Sequence, residues 1–122
     1  MKSLVALLVL AASLAGCVSS GGDTLFLGAE PAADSVLKCA PRNLHLFFEA
    51  LPDVPNSSLT LTGPGGNYDL RGFHTMGAND LMIEITNPSI PDGDYLVDWS
   101  VVLGDDSTIH KGAYRFSVVT DC

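Results

Sequence analysis

The segment from Pro91 to Val102 constrains the fold of this chain more than any other. Pro91-Asp92-Gly93 has the composition of a tight turn. In the residues that follow, apolar side chains recur at the period of two that a β-strand requires. The apolar positions are Tyr95, Val97, Trp99 and Val101. The sequence therefore predicts a turn that leads into a long strand, with Trp99 on the face that points to the core.

Other short alternating segments are separated by clusters of Gly, Pro, Asn and Asp, as is typical of strands and turns. They lie at 44–49, 59–62, 68–73, 81–86 and 114–119. The polar segment 68–73 is predicted at a sheet edge, and 31–38 is predicted to be a connector with at most one helical turn. About seven strands in roughly a hundred residues predict an all-β fold, a single immunoglobulin-like β-sandwich.

The N-terminus has the features of an export signal. Lys2 precedes the apolar run 4–14, which is too short to span a bilayer. The run ends in Leu14-Ala15-Gly16-Cys17, which resembles the lipobox of bacterial lipoproteins. The resemblance implies cleavage before Cys17 and lipidation of this cysteine. An ordinary signal peptide and a retained membrane helix are the alternatives.

These features predict a signal peptide over 1–16, a lipidated tether over 17–23 and the β-sandwich domain over 24–122. Val18, which follows the lipidated cysteine, is not the aspartate associated with retention in the inner membrane, so the outer membrane is favoured. The expected location is therefore the periplasm, with the domain anchored to a membrane through Cys17.

Charge and motifs exclude several classes of function. Fourteen acidic residues against six basic ones give a formal net charge of −8. Such a surface argues against nucleic acid and anionic membrane surfaces as partners. The sequence contains no Gly-x-Ser-x-Gly elbow, no phosphate-binding loop and no His-Glu-x-x-His motif. We therefore expect a binding protein rather than an enzyme.

Two cysteines remain after the lipobox, Cys39 before a predicted strand and Cys122 after the last one. In an oxidising compartment they can form a disulfide, which is the favoured interpretation. The alternative is that they bind a metal as thiolates, although neither has the spacing typical of a metal site.

The long strand and several other motifs resemble, in the same order, those of the CopC family of periplasmic copper-resistance proteins. The motifs are Glu30-Pro31-Ala32-Ala33-Asp34, Ala40-Pro41-x-x-Leu44-x-Leu46-x-Phe48, Thr62-Gly63-Pro64-x-Gly66, the Trp99 strand and Gly112-x-Tyr114-x-Phe116-x-Val118. They extend over nearly the whole predicted domain. The resemblance implies a CopC-like sandwich, copper as the ligand and a membrane copper-transport protein as a partner.

Members of this family hold Cu(II) with a histidine at the mature N-terminus, its free amine, and an aspartate and a histidine in the loop after the long strand. Here the two histidine positions fall on Asp23 and Ser107, and acylation of Cys17 leaves no free amine. Only the aspartate is retained, as Asp105. We therefore expect Cu(II) to bind with micromolar affinity or weaker. This loop is one residue longer than in the family, which leaves open a weak divalent-cation site of Asp105 and His110 or a solvated loop with a surface histidine.

Some members also carry a methionine-rich Cu(I) loop in mid-chain, because thioether sulfur suits Cu(I). The comparable region here has His74 and Met76. Met82 alternates outward on the next strand, and we predict that it lies near His74. The alternative is ordinary loop residues with a gap-filling methionine. His45 also alternates outward, and the sequence predicts an isolated surface histidine at this position.

Three functions stay open at this point. The first is a lipid-anchored copper carrier or buffer. The second is a family member without tight metal binding that acts as an interaction or structural lipoprotein of the envelope. The third is a sensor or accessory lipoprotein for another transition metal. The small number of imidazole and soft ligands favours the second function more than the family resemblance suggests.

Overall fold

The structure, a computed structural model, describes residues 25–104 and 108–122. This part of the chain contains nine strands and one short 3-10 helix over Val54–Asn56. The strands are β1 Phe26–Glu30, β2 Val36–Leu37, β3 Asn43–Phe48, β4 Ser58–Gly63, β5 Gly66–Tyr68, β6 Leu70–His74, β7 Asp80–Ile85, β8 Gly93–Val102 and β9 Ile109–Val118. No helix in this described part of the chain has the length and hydropathy needed to cross a membrane.

The strands form two sheets. One has four strands in the order β1-β3-β7-β6, and the other has five in the order β2-β9-β8-β4-β5. Neighbouring strands are antiparallel except β2, which runs parallel to β9. The inward side chains of both sheets form one buried cluster. The predicted all-β sandwich is therefore confirmed.

The core is centred on the strand that the sequence analysis singled out. The alternating apolar residues of β8 are at most 3% exposed. The Trp99 ring lies 5.2 Å from the ring of Phe26 on β1 and 5.3 Å from that of Phe48 on β3, measured between centroids. Trp99 therefore joins the two sheets, as its inward position predicted.

Three elements differ from the sequence prediction. Val36–Leu37, within the segment predicted to be a connector, forms the short strand β2. The segment 68–73 is not one strand, because β5 lies at the edge of the five-stranded sheet and β6 at the edge of the four-stranded sheet. Asp69 separates them, and the chain changes sheet at this residue. Strand β1 was not predicted, because a register shift between Phe26 and Gly28 interrupts its alternation.

A disulfide joins Cys39 to Cys122, with a Cα–Cα distance of 5.5 Å and a sequence separation of 83. The predicted pairing is confirmed, and the thiolate-ligand alternative is excluded because both sulfurs are consumed. The bond fastens the chain after β2 to the chain after β9. In the chain-entropy treatment a loop of this length contributes about 4 kcal/mol of stability.

Candidate metal site

One row of side chains crosses the outward face of the four-stranded sheet. The backbone register pairs Glu30 on β1 with His45 on β3, His45 with Met82 on β7, and Met82 with His74 on β6. Directly paired residues on one face of an antiparallel sheet have Cβ atoms about 4.5–5.5 Å apart. Four adjacent strands thus each contribute one residue to a continuous band, called here the outer row (Glu30, His45, Met82 and His74).

The outward direction of this row follows from the burial of its neighbours. The residues on either side of His45 and Met82 in their own strands are almost completely buried, and successive side chains of a strand point to opposite faces. These buried neighbours are Leu44, Leu46, Leu81 and Ile83. The row therefore faces away from the core, and the predicted nearness of Met82 to His74 is confirmed by their pairing.

His45 has a partner that the sequence did not reveal. Its Nε2 lies 2.6 Å from Oδ2 of Asp80, and the two side chains are 20% and 4% exposed. The His45 ring also contacts the ring of Phe47, with a centroid distance of 4.3 Å. The outward orientation of His45 was predicted correctly, but its description as an isolated surface histidine is wrong. Asp80 is 35 residues away in the chain, and only the pairing of β3 with β7 brings it close.

The electrostatics of Asp80 favour its ionised form. Burial raises the pKa of this carboxyl. The hydrogen bond from His45 and those from the main chain of Met76 and Ala78 lower the pKa, and together they outweigh the effect of burial. The net pKa lies below its ordinary value. The Met76 N–H donates to Oδ1 of Asp80 at 2.9 Å. One carboxylate thus orients the His45 ring and also holds the turn before β7.

His74 lies at the exposed end of β6. Its Nδ1 contacts the carbonyl oxygen of Gly72. Because a carbonyl only accepts, the proton of this contact is on Nδ1, and in the neutral imidazole Nε2 is then the nitrogen with the lone pair. Gly72 has a φ of 72°, within a register shift between Arg71 and His74. This left-handed conformation suits glycine, and it lets Phe73 pack on the core while His74 faces outward.

Of the other residues predicted for the mid-chain and late-loop sites, those that the structure describes do not lie together. Met76 follows β6 with 57% of its surface exposed. His110 pairs with Val101 and shares the face of β9 that carries Tyr114, so it belongs to the other sheet from His74. Asp105 lies outside the described residues, and its proximity to His110 stays a prediction. Asp23, Ser107 and Cys17 also lie outside them.

An open groove of about 460 Å³ borders the outer row. Three residues of the row, Glu30, His45 and Met82, line it together with Pro31, Leu37 and the segment 39–43. Solvent therefore reaches the central part of the row. Within residues 25–104 and 108–122, no three His, Cys, Asp or Glu side chains form a group able to hold a metal ion.

Comparison with known proteins decides the family. The family model described as the CopC domain matches residues 26–119, most of the chain. The chain belongs to the CopC family. The family predicted from the ordered motifs is thus confirmed, and the matched residues include all nine strands. No curated protein matches the sequence.

Solved structures agree with the CopC assignment. The selenomethionine form of PcoC, a copper resistance protein from Escherichia coli, matches with a TM-score of 0.69 and 27% identity, over 77% of this chain and 98% of that one. A second structure of PcoC, described as methionine rich, matches with the same TM-score and identity, over 77% of this chain and 96% of that one. CopC from Methylosinus trichosporium OB3b has a TM-score of 0.69 and 21% identity, over 85% of this chain and 97% of that one, and shows the shared fold.

Proposed function

We propose that this CopC-family protein binds copper in the periplasm and carries or buffers it. The supporting observation is the pairing of His74 with Met82 on the solvent-facing side of the four-stranded sheet. Imidazole nitrogen and thioether sulfur are ligands that suit Cu(I). Similarity to PcoC, a copper resistance protein, supports the same assignment. The protein acts by binding, without catalysing a reaction.

The copper bound is Cu(I) in this proposal, with His74, Met76 and Met82 as the mid-chain ligands. Cu(II) prefers nitrogen and oxygen ligands in tetragonal arrangement. The two positions at which the family has histidines for Cu(II) carry Asp23 and Ser107 instead. Cu(II) affinity is therefore micromolar or weaker, and Asp105 with His110 is at most a weak cation site.

The test is a competition titration of the purified protein against chelators of known affinity, for Cu(I) under anaerobic conditions and separately for Cu(II). We expect one Cu(I) per chain, with affinity lowered in the His74→Ala/Met76→Ala double variant. His110→Ala should leave Cu(I) binding intact. Stoichiometric nanomolar Cu(II) binding would contradict the ligand assignment. A protein that binds neither ion would instead support the envelope-interaction alternative.

We also infer that the domain is tethered to a membrane through a lipidated Cys17, in the periplasm and preferably on the outer membrane. This anchor would hold the bound copper near a membrane transport partner. Fractionation of cells that express the full chain tests the inference. Wild type and a Ser19→Ala control should sediment with membranes, and Cys17→Ser should become soluble. Equal solubility of all three would remove the anchor from the proposal.

A further inference from the structure

We propose that the outer row is a Cu(I) site in which the imidazoles of His45 and His74 and the thioether of Met82 are the ligands. Asp80 positions His45 in this site. The choice of copper depends on the proposed function, whereas the position and the ligand set depend on the geometry of the sheet. In this proposal His45 takes the place of Met76 in the mid-chain ligand set. The site then crosses β7 to β3, a strand that the sequence did not connect with metal binding.

The spacing of the strands suits such a site. Met82 pairs directly with both histidines, one on each side. The β3 and β6 strands are therefore two inter-strand spacings apart, about 9.5 Å. Two imidazole side chains and two metal–nitrogen bonds of about 2.0 Å each can span this distance. Met82, on the strand between the two histidines, supplies the third ligand in this proposal.

The hydrogen bonds of the two rings leave one suitable nitrogen on each. His45 donates from Nε2 to the Asp80 carboxylate, so Nδ1 is the nitrogen that can bind a metal while this contact is kept. His74 donates from Nδ1 to the Gly72 carbonyl, so its Nε2 is available. Histidines that bind metals in proteins almost always donate their other N–H to a carboxylate or a backbone carbonyl. Both histidines of the row already have this arrangement.

Asp80 holds the His45 ring in one orientation. A carboxylate that is 4% exposed must be compensated by hydrogen bonds, and it receives them from His45 and from the Met76 N–H. It is therefore held in place and fixes the direction of the His45 ring. Glu30, next to His45 in the row, adds negative charge beside the groove and favours a cation there.

The ligand set also selects the ion. Zn²⁺ in structural sites takes four ligands from thiolates, imidazoles and carboxylates. Two imidazoles and a thioether supply only three, and one of them is soft and uncharged. Such a set suits Cu(I). The outer row should therefore bind Cu(I) in preference to Zn²⁺.

The first experiment measures Cu(I) affinity by chelator competition in four single variants of the purified protein. Met82→Leu keeps the volume but removes the sulfur, and His45→Gln and His74→Gln each remove one imidazole. Each should weaken binding by at least tenfold. Arg71→Gln is the matched control, because Arg71 lies on the same face and pairs with Glu84 instead of the row. It should leave the affinity unchanged.

The outcomes separate this proposal from the proposed function. If wild type binds Cu(I) and His45→Gln binds equally well, the three-strand site is wrong, but copper binding stands. If the three row variants bind Cu(I) normally and only the His110→Ala variant of the earlier titration loses it, the site is on the other sheet and the outer row is again wrong. If wild type binds no Cu(I), both proposals fail. Equal Zn²⁺ and Cu(I) affinities would overturn the ligand set.

The second experiment tests the positioning role of Asp80. Asp80→Asn keeps the shape but leaves one acceptor oxygen for two donors, the His45 Nε2–H and the Met76 N–H, and it removes the negative charge beside His45. Cu(I) affinity should fall by about 10–100-fold, as for other residues that orient a ligand. In wild type, ¹⁵N spectra of the imidazoles should show Cu(I)-dependent shifts at Nδ1 of His45 and Nε2 of His74. Unchanged His45 shifts on Cu(I) addition would overturn the assignment, even if Asp80→Asn loses stability.

Discussion

The two sheets of the sandwich differ in what they retain from the family. The five-stranded sheet contains the long β8–β9 hairpin, in which ten residue pairs are in register and Trp99 is buried. From the family resemblance, the sequence analysis expects an aspartate and a histidine of a Cu(II) site in the loop of this hairpin, and the sequence has only the aspartate, Asp105. The four-stranded sheet instead carries His45, Met82 and His74 on its outward face.

This comparison shows that framework and chemistry can separate within one fold. Inward side chains are constrained by every neighbour they touch, because protein interiors are close-packed. Gly112 illustrates this constraint: a Cβ at this position would lie 2.3 Å from Cζ2 of Trp99. Outward side chains make few contacts with the core. Metal ligands at these positions can therefore be gained or lost while the sandwich fold is kept.

The largest expected effect comes from removing the centre of the framework. Trp99→Ala should lower the free energy of unfolding by about 3–5 kcal/mol, because it leaves a cavity between the two sheets. Urea denaturation measures the loss. Leu27→Ala is the control, since Leu27 is 60% exposed and should change stability by less than about 0.5 kcal/mol. Equal effects of the two variants would show that Trp99 does not join the sheets.

The disulfide is the next largest contribution. The Cys39→Ser/Cys122→Ser double variant should lose about 2–5 kcal/mol, since the unfolded chain is no longer cross-linked. Its Cu(I) affinity should stay close to that of wild type, because the bond is not a metal ligand. Mass spectrometry of non-reduced wild type should find one peptide pair linked through these cysteines. Two free thiols in that sample would refute the cross-link.

A smaller loss of stability is expected from Gly112→Ala. The added methyl group meets the Trp99 ring, and overpacking of this kind costs about 1–3 kcal/mol. Thermal denaturation should show a lower Tm than for wild type. Lys111→Ala, at the neighbouring exposed position of β9, is the matched control and should change Tm little. If both variants have the same Tm, the close approach of β9 to Trp99 does not limit the size of the side chain at position 112.

The pH dependence of stability tests the four-stranded sheet. The pKa of Asp80 is lower in the folded protein than its ordinary value, so the ionised carboxylate contributes stability above about pH 4, the ordinary value for aspartate. This contribution is lost as the pH falls from there through the lower, folded-state pKa. Denaturation between neutral and acid pH should therefore show a smaller loss in Asp80→Asn than in wild type. If wild type and Asp80→Asn lose the same free energy of unfolding between neutral and acid pH, the His45–Asp80 contact does not stabilise the fold.

Much of the fold could be predicted from local patterns. Alternation located β3, β4, β7 and β8, because the period of two is visible within one strand. The inward position of Trp99 followed from the same pattern. Strand β1 was missed because its bulge breaks this period, and the division of 68–73 into two strands was missed because a change of sheet leaves no local pattern.

The candidate site could be predicted only in part. His74 and Met82 are eight residues apart in the chain, and a hairpin between their strands is a short-range expectation. The partnership of His45 with Asp80 depends on which residues of β3 and β7 lie opposite each other. Alternation assigns each side chain to a face, but it does not determine the register between distant strands.

The sequence by itself determined the all-β class, the inward face of β8, the cysteines available for pairing and the family. Each of these depends on residues that are close in the chain or on motifs in a recognisable order. Only the tertiary structure decided that His45, Met82 and His74 form one row and that Asp80 orients His45. The physical reason is that strand pairing sets the register of residues far apart in the chain, through backbone hydrogen bonds and the packing of inward side chains around one core.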